Sequence, residues 1–488
     1  MKVALDRREA TAGSFDASVS GVFERSDKDD ALPRTLGRED GVLTGTLRRA
    51  WDGREVRGKL KEIHTLFRPD GRGRVVLVGL GRRPLRADTV REVAATAVQK
   101  LKGHGVRTVA FRLASFVGEG VTSDEALRAL ASGALLGGYE FLRYKSSGEG
   151  AVEEVTIALG EEHAREEGSL KRSLEQELVL ADSALFTRDL ANTPPNHATP
   201  EWLAEQARHL GKELGLKVAV FDEKKLEEMQ CGGILAVGSG SAHPPRMIVV
   251  EYSGGARSGK TVAVVGKGIT FDSGGISIKP SLGMAEMKFD KSGACAVLGI
   301  VRAASLLKVP PRVVGVMACA ENLPSGSAYR PSDVVRTYNG KTIEVTDTDA
   351  EGRVVLADAL AYAVDKYHPD EVIDLATLTG AQVVALGENI GAVVGNRDPL
   401  AQALEQAGQA VGEPLWQLPL TDPHRDMVKS DVADVRNALE PKYAGCLLGA
   451  AFLENFVGDT AWAHLDIAGP AWARKATLKW VPAYHPLG

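Results

Sequence analysis

Runs of apolar residues alternate with amphipathic segments along most of the chain. Residues 75–81, VVLVGLG, form an apolar run that predicts a buried strand, and residues 89–105 carry the helical spacing of apolar positions and end at glycine. Such alternation is typical of a mostly parallel sheet with helices on both faces. In the C-terminal half the same patterns predict strands at 247–252, 261–266, 313–319 and 372–377 and helices at 293–307, 353–367 and 447–456.

A charged segment separates two halves of the chain. Residues 164–191 have a helical pattern, and the proline-rich segment 192–202 that follows cannot continue a helix. At 488 residues the chain is longer than a single core requires. We therefore predict an α/β fold with two domains, each a central, mostly parallel sheet flanked by helices. The N-terminal α/β domain is placed at residues 1–170 and the second domain at 171–488, with 164–191 as the connecting helix.

Composition and charge narrow the class of protein. The formal net charge of −5 argues against bulk affinity for nucleic acid or an anionic membrane. No apolar run reaches the roughly 18 residues that a membrane span requires. The first ten residues, MKVALDRREA, have no apolar segment after their charges, so we predict a cytoplasmic protein without a secretory signal. The four cysteines form no CxxC pair, which argues against a disulfide framework or a zinc cage; they are Cys231, Cys295, Cys319 and Cys446.

Two sequence features favour other functions. Between Trp51 and Arg112 basic residues outnumber acidic ones, which fits either a solvated face or the surface of a nucleic-acid-binding regulator. Residues 254–261, GGARSGKT, match the phosphate-loop pattern of nucleotide-binding proteins. That loop binds phosphate only where a helix follows it, and the next residues, VAVVG, have the composition of a strand. We therefore predict a turn between two strands at this point.

Acidic residues and glycines are concentrated in two blocks of the second domain. Both blocks follow apolar runs, so we expect both at strand ends, where ligands gather in such folds. Asp349 and Glu351 lie two residues apart, which in an extended segment puts both carboxylates on one side. Crowded carboxylates repel unless cations neutralise them. The residues concerned are Lys267, Asp272, Lys279 and Asp290 in the first block and Asp347, Asp349, Glu351 and Arg353 in the second.

Bound metal is the simplest source of the positive charge that these acids require. Divalent ions take several oxygen ligands at once. None of the ten histidines lies in an HExxH pattern, so a single helix-borne zinc is not indicated. A site rich in oxygen ligands favours a pair of Mn²⁺, Zn²⁺ or Mg²⁺ ions, which together can activate a water molecule and polarise a carbonyl group.

The segments GKGITFDSGGISIK, MKFDKSGACAVLG, TDTDAEGRVVLADAL and LATLTGAQVVALG resemble those of the leucyl aminopeptidase family of dinuclear metallopeptidases. The similarity extends from about Arg188 to the C-terminus and is loose before that. It implies that the second domain is catalytic. It also implies an aminopeptidase that removes leucine and other apolar residues from peptides with a free N-terminus, using a water activated by two metal ions. A homohexamer is implied as well.

The resemblance also implies roles for individual residues. Asp272 and Glu351 would bridge two ions, Mn²⁺ or Zn²⁺. Lys279 would be catalytic, and so would Arg353, whose family counterpart binds a bicarbonate ion proposed as general base. The implied metal ligands are Lys267, Asp272, Asp290, Asp349 and Glu351, and the implied substrate-binding residues are Met287, Thr377 and Gly380.

Two positions depart from the family pattern. Asp347 stands where the family usually has asparagine, which adds a negative charge beside the site. Lys291 and Ser292 follow the aspartate of MKFD where Met and Gly are frequent. Neither change removes an implied ligand, and both leave the preferred metal and the pH optimum open.

Overall fold

The computed structural model describes residues 1–7, 15–25, 31–71, 73–148, 150–255, 259–439 and 443–472. The chain forms two compact units, Met1–Leu185 and a second unit that begins at Phe186. The division lies inside one long helix, Glu167–Asn192, which corresponds to the predicted connecting helix. The sequence-based division at residue 170 lies near the beginning of that helix and stays a prediction.

The first unit is built on a mixed sheet. Within its described residues six strands lie in the order β1-β6-β5-β2-β4-β3, and all neighbours are parallel except β3 and β4. These strands are β1 (Lys2–Asp6), β2 (Ala17–Phe23), β3 (Ile63–Phe67), β4 (Arg74–Gly81), β5 (Thr108–Arg112) and β6 (Glu154–Ala158).

Helices cover both faces of this sheet. One apolar cluster includes Val93, Val98 and Leu130 and packs against Val76 and Val78 of β4. A second includes Leu47 and Trp51. Residues on β4 alternate between the two clusters, as expected of a strand buried on both faces. The helices are α1 (Gly37–Val42), α2 (Thr46–Asp52), α3 (Ala87–Leu101), α4 (Ser123–Gly137) and α5 (Glu167–Asn192), with 3₁₀ turns at Arg34–Leu36, Leu113–Phe116 and Ala164–Glu166.

The second unit contains a larger sheet of eight described strands and a small one of three. The large sheet has the order β15-β14-β17-β13-β9-β10-β8-β7, in which β9 pairs in parallel with both β13 and β10. The small sheet has the order β11-β12-β16. The strands are β7 (Lys217–Phe221), β8 (Arg246–Tyr252), β9 (Thr261–Asp272), β10 (Arg312–Asn322), β11 (Val334–Arg336), β12 (Thr342–Glu344), β13 (Glu371–Ala376), β14 (Gly391–Gly395), β15 (Leu415–Gln417), β16 (Val435–Arg436) and β17 (Ala461–Asp466).

Two apolar clusters fill the two faces of the large sheet. Along β9, Ala263 and Val265 belong to one cluster and Val264 to the other, so the central strand is buried on both sides. The helices of this unit are α6 (Pro200–Leu214), α7 (Glu223–Glu228), α8 (Gly232–Gly238), α9 (Ser292–Leu307), α10 (Glu351–Tyr367), α11 (Gly380–Leu386), α12 (Asp398–Val411), α13 (Asp422–Met427) and α14 (Gly445–Glu454), with a 3₁₀ segment at Met284–Phe289.

Most predicted elements are confirmed, together with the α/β fold of two domains with mostly parallel sheets. Each strand and helix named from the apolar pattern is present, but β9 runs six residues past its predicted end at residue 266 and α3 ends four residues before its predicted end at residue 105. The phosphate-loop alternative is wrong, because Thr261 begins strand β9 and no helix follows the glycines. Residues 256–258 of that segment lie outside the described residues. In the described part of the chain no helix is both long and apolar enough to cross a membrane.

A buried lysine fixes the beginning of α9. Lys291 is fully buried, and its ammonium group donates to the carbonyl oxygens of Ala191 and Thr193, both at 3.0 Å, and to that of Lys288. These acceptors belong to the end of α5 and to the segment before α9. Burial lowers the pKa of Lys291 to about 8, since desolvation penalises the charged form. The departure from the family pattern at residue 291 therefore has a structural role.

We expect Lys291→Met to lower the free energy of unfolding by about 2–4 kcal/mol, because it leaves buried carbonyl groups without donors. Urea unfolding of the variant and of the native chain measures the difference. Lys212→Met, at an exposed helical position of α6, is the control and should change stability little. Equal stability of the two variants would contradict the structural role of Lys291.

Candidate metal centre and active site

Four carboxylates converge at the carboxyl end of strand β9. Asp272 is the last residue of β9, Asp290 precedes α9, and Glu351 is the first residue of α10. One oxygen from each of these three residues lies within 4.8 Å of the others, and all three side chains are buried. Asp349, in the turn before α10, is the fourth. The site is therefore assembled from segments that are distant in sequence.

Two lysines lie between these carboxylates. Nζ of Lys267 lies 2.8 Å from Oδ1 of Asp290 and 2.8 Å from Oε1 of Glu351. Nζ of Lys279 lies 2.8 Å from Oδ2 of Asp272 and also pairs with Asp349. The structure thus brings together all five predicted metal ligands and the predicted catalytic lysine.

The charges of this cluster do not balance. Four carboxylates face two ammonium groups, which leaves a formal charge of −2 when all are ionised. Burial and the neighbouring charges of Asp272 and Glu351 raise the pKa of Asp349 to about 7. Burial alone would lower the pKa of Lys267, but Asp290 and Glu351 raise it overall. Both shifts indicate a site that lacks positive charge.

Hydrogen bonds hold Asp272 in place. Its Oδ1 accepts from Nδ2 of Asn322 at 2.8 Å and from the backbone N–H of Gly274 at 2.9 Å. Asn322 ends β10 directly beside Asp272 in the strand register, and its Nδ2 also donates to the carbonyl oxygen of Thr348 at 3.0 Å. The sequence analysis missed Asn322. The available signal was a polar residue at the end of the apolar run that begins at residue 313.

The residue that follows strand β13 fixes the position of Asp290 by a hydrogen bond. Thr377, which follows β13, donates from Oγ1 to Oδ1 of Asp290 at 2.7 Å, and its carbonyl oxygen accepts from Lys267 at 2.9 Å. Oδ2 of Asp290 is buried and has no hydrogen-bond partner in the described part of the chain. A buried carboxylate oxygen without a donor is costly, which fits an oxygen reserved for a cation.

Arg353 lies two residues after Glu351 and is buried. Its NH1 donates to the carbonyl oxygen of Asn437 at 2.7 Å, whereas its Nε has no partner among the described residues. Burial lowers the pKa of this guanidinium. Asn437 also donates to the carbonyl oxygen of Asp347 at 2.6 Å and accepts from the backbone N–H of Thr346 at 2.8 Å, so it fixes the turn that carries Asp349.

The predicted substrate-binding residues lie in three different elements. Thr377 contacts Asp290 and Lys267 as described. Met287 is half-buried in the 3₁₀ segment before Asp290. Gly380 begins α11, and no heavy atom lies within 4 Å of the position that a Cβ would take there. Gly380 is exposed, and the space beside it is open.

Two details of the second acidic block differ from expectation. Glu351 lies in the first turn of a helix, so the extended conformation predicted for Asp349 and Glu351 is wrong. The block also follows β12 of the small sheet instead of a strand of the large one. Gly352, the second residue of α10, lets the Lys267 side chain lie against the helix: a Cβ there would lie 2.5 Å from Cε of Lys267. The helix start also favours an acidic first residue.

The donor set fits divalent cations. It combines carboxylate oxygens from four residues with one amine, all at a position where positive charge is deficient. The unpaired Oδ2 of Asp290 is an available ligand atom.

Comparisons with known proteins identify the family of the chain. Residues 185–484 match the catalytic domain of the cytosol aminopeptidase family, and residues 19–148 match its N-terminal domain. A protein of Geobacter sulfurreducens named "Probable cytosol aminopeptidase" is 43% identical over 492 residues, covering 100% of this chain and 96% of that protein. A protein of Roseiflexus castenholzii with the same name is 44% identical, with the same coverage.

Solved structures are similar over nearly the whole chain. A mutant of tomato leucine aminopeptidase superposes with a TM-score of 0.87 at 32% identity, covering 97% of this chain and 93% of that one. The bottromycin maturation enzyme BotP in complex with Mn superposes with a TM-score of 0.83 at 36% identity, covering 96% and 95%. Neither the nucleotide-binding nor the nucleic-acid-binding alternative finds support among these relatives. With both of its domains matched and its relatives covered almost end to end, the chain belongs to the cytosol aminopeptidase family and is an aminopeptidase, a metal-dependent exopeptidase.

Proposed function

We propose that the aminopeptidase reaction takes place at the carboxylate cluster, with two divalent ions held there. Asp272 and Glu351 would be ligands of these ions. The convergence of three buried carboxylates within 4.8 Å is the observation that carries this proposal. The complete ligand set would be Lys267, Asp272, Asp290, Asp349 and Glu351.

Two divalent ions, when bound, would activate a water molecule and polarise the scissile carbonyl group. Lys267 binds metal only as a neutral amine, so it would give up the proton that now pairs it with Asp290 and Glu351. Lys279 keeps its charge and would stabilise the oxyanion that develops on the carbonyl. Its position between Asp272 and Asp349 supports this role.

Arg353 would hold a small anion such as bicarbonate, which would supply a general base when bound. The unpaired Nε of this buried guanidinium supports an anion at this position. The carbonyl oxygen of Asn437 fixes one end of the side chain, so the rest of the guanidinium is held in one orientation.

The substrate proposed here is a peptide with a free N-terminus and leucine or another apolar residue first. Met287, Thr377 and Gly380 would line the pocket for that side chain. The open space beside Gly380 supports this assignment. The similarity to tomato leucine aminopeptidase supports the preference for leucine.

Mn²⁺ or Zn²⁺ would occupy the two positions, and the Mn in the BotP complex supports the former. A cytoplasmic location and a homohexamer stay predictions from the sequence analysis. Light scattering of the purified chain tests the hexamer directly.

Removal of metal should abolish hydrolysis of leucine p-nitroanilide and should also destabilise the fold, because the buried carboxylates lose their counter-charge. We expect the unfolding temperature to fall by about 5 °C or more after dialysis against a chelator. Mn²⁺ or Zn²⁺ should restore both activity and melting temperature. An unchanged melting temperature together with full activity would count against a metal centre.

Glu351→Gln should abolish hydrolysis of leucine p-nitroanilide and lower the metal content, since the amide is a poor ligand and carries no charge. Elemental analysis of the purified variant measures bound metal, and circular dichroism checks the fold. Asp365→Asn, at an exposed position of the same helix α10, is the matched control and should keep both properties. Normal turnover in Glu351→Gln would remove Glu351 from the reaction.

Lys279→Ala should lower kcat by about 10²–10³-fold, the usual loss when one oxyanion-stabilising donor is removed. The metal content should stay unchanged, because Lys279 is not among the proposed ligands. Lys429→Ala replaces a lysine that pairs with Asp426 on the surface and serves as control. A variant that loses metal along with activity would show Lys279 to be structural instead of catalytic.

A further inference from the structure

A buried carboxylate outside the proposed ligand set lies beside the turn that follows strand β13. Asp466 is the last residue of β17 and pairs in parallel with Ala376, the last residue of β13. Its side chain is completely buried. A carboxylate in such a place is costly unless hydrogen-bond donors replace the water that it loses. The donors that contact Asp466 therefore show which part of the second unit this residue stabilises.

Both oxygens of Asp466 accept hydrogen bonds from residues 378–379. Oδ1 accepts from the backbone N–H groups of Leu378 at 3.2 Å and Thr379 at 3.4 Å, and Oδ2 accepts from the hydroxyl group of Thr379 at 2.7 Å. Oδ1 also accepts from the backbone N–H of Ala468 at 3.2 Å. Hydrogen bonds to an ionised acceptor are stronger than those between neutral groups. One carboxylate thus fixes the turn at residues 378–379 from both of its oxygens.

The turn that Asp466 fixes connects two parts of the proposed active site. Thr377 precedes the turn and donates to Oδ1 of Asp290 at 2.7 Å. Thr379 ends the turn and caps helix α11, whose first residue is Gly380: its Oγ1, which donates to Asp466, also accepts a backbone N–H of the first helical turn at 3.2 Å. A shift of this turn would therefore move both Thr377 and Gly380.

We propose that Asp466 is a positioning residue that sets the shape of the pocket for the first side chain of the peptide substrate. Because Asp466 is completely buried, it acts through the turn and not by touching the substrate. The inference rests on the proposed pocket of Met287, Thr377 and Gly380. Discrimination between apolar side chains depends on close contact with the pocket wall. A displaced turn would therefore reduce the preference for leucine over a smaller residue.

Hydrolysis of leucine and alanine p-nitroanilide by the full-length, metal-loaded chain tests the proposal. The measured quantity is the ratio of kcat/KM for the two substrates, which does not change with the fraction of active enzyme. Asp466→Asn keeps the size of the side chain and removes its charge and one acceptor. We expect the ratio to fall by about fivefold or more in this variant, through a higher KM for the leucine substrate.

Variants of Thr379 test whether Asp466 acts through the turn. Thr379→Val removes the hydroxyl group and should lower the ratio to a similar extent, whereas Thr379→Ser keeps the hydroxyl group and should retain the native ratio. The double variant Asp466→Asn, Thr379→Val should lower the ratio no further than Thr379→Val alone, because both changes remove the same contact.

Trp462→Phe is the matched control for a loss of stability alone. Trp462 lies on the same strand as Asp466, and its Nε1 donates to Oδ2 of the buried Asp374 at 2.7 Å and not to the turn. The variant leaves that oxygen without its donor, so we expect a lower unfolding temperature and an unchanged ratio. A purely structural Asp466 would behave in the same way and lower the activity toward both substrates in proportion.

A native ratio in both Asp466→Asn and Thr379→Val would overturn the proposal. An equal fall of the ratio in Trp462→Phe or Thr379→Ser would also overturn it, as would a double variant in which the two single effects multiply. If Asp466→Asn does not fold, the contrast between Thr379→Val and Thr379→Ser decides. A native chain without preference for leucine would refute the proposed pocket together with this inference, whereas a native preference that the variants retain refutes the inference alone.

Discussion

Electrostatic repulsion among four carboxylates, three of them buried, is the constraint on which the second unit depends. Asp272, Asp290 and Glu351 are held within 4.8 Å of one another in a place from which water is largely excluded. Two lysines compensate for part of this charge. An apolar cluster of the same volume would stabilise the fold better. The cluster is therefore explained by cation binding. It lowers the stability of the fold, and the surrounding sheet compensates for that loss.

Parts of this arrangement follow from the amino-acid sequence. The apolar runs predict β9, β10 and β13, and the acids at residues 272, 349 and 351 stand out because they follow or interrupt such runs. The parallel pairing of β9 with β13 then brings Lys267 to the carbonyl of Thr377, a contact across 110 residues. The pattern of apolar residues does not reveal that β9 and β13 are neighbours, because the order of strands depends on how the complete sheet packs.

Other residues escape sequence reasoning because their importance lies in contacts. Asn322 looks like an ordinary polar residue at a strand end, yet it holds Asp272 through one hydrogen bond. Asn437 lies in a loop and fixes the turn before α10. Lys291 is noted in the sequence only as a departure from the family pattern, yet it is completely buried. The close approach of Lys267 to Gly352 is likewise a contact that the sequence does not reveal.

The dispersal of the site along the chain affects when activity can appear. Lys267 is on the strand next to β13, and β17 pairs with β13 on its other side, so the sheet around the site is complete only when residues 461–466 have been added. A nascent chain that ends before β17 lacks one neighbour of the strand that carries Thr377. A fragment that ends there would therefore be without peptidase activity, even though it carries every proposed metal ligand.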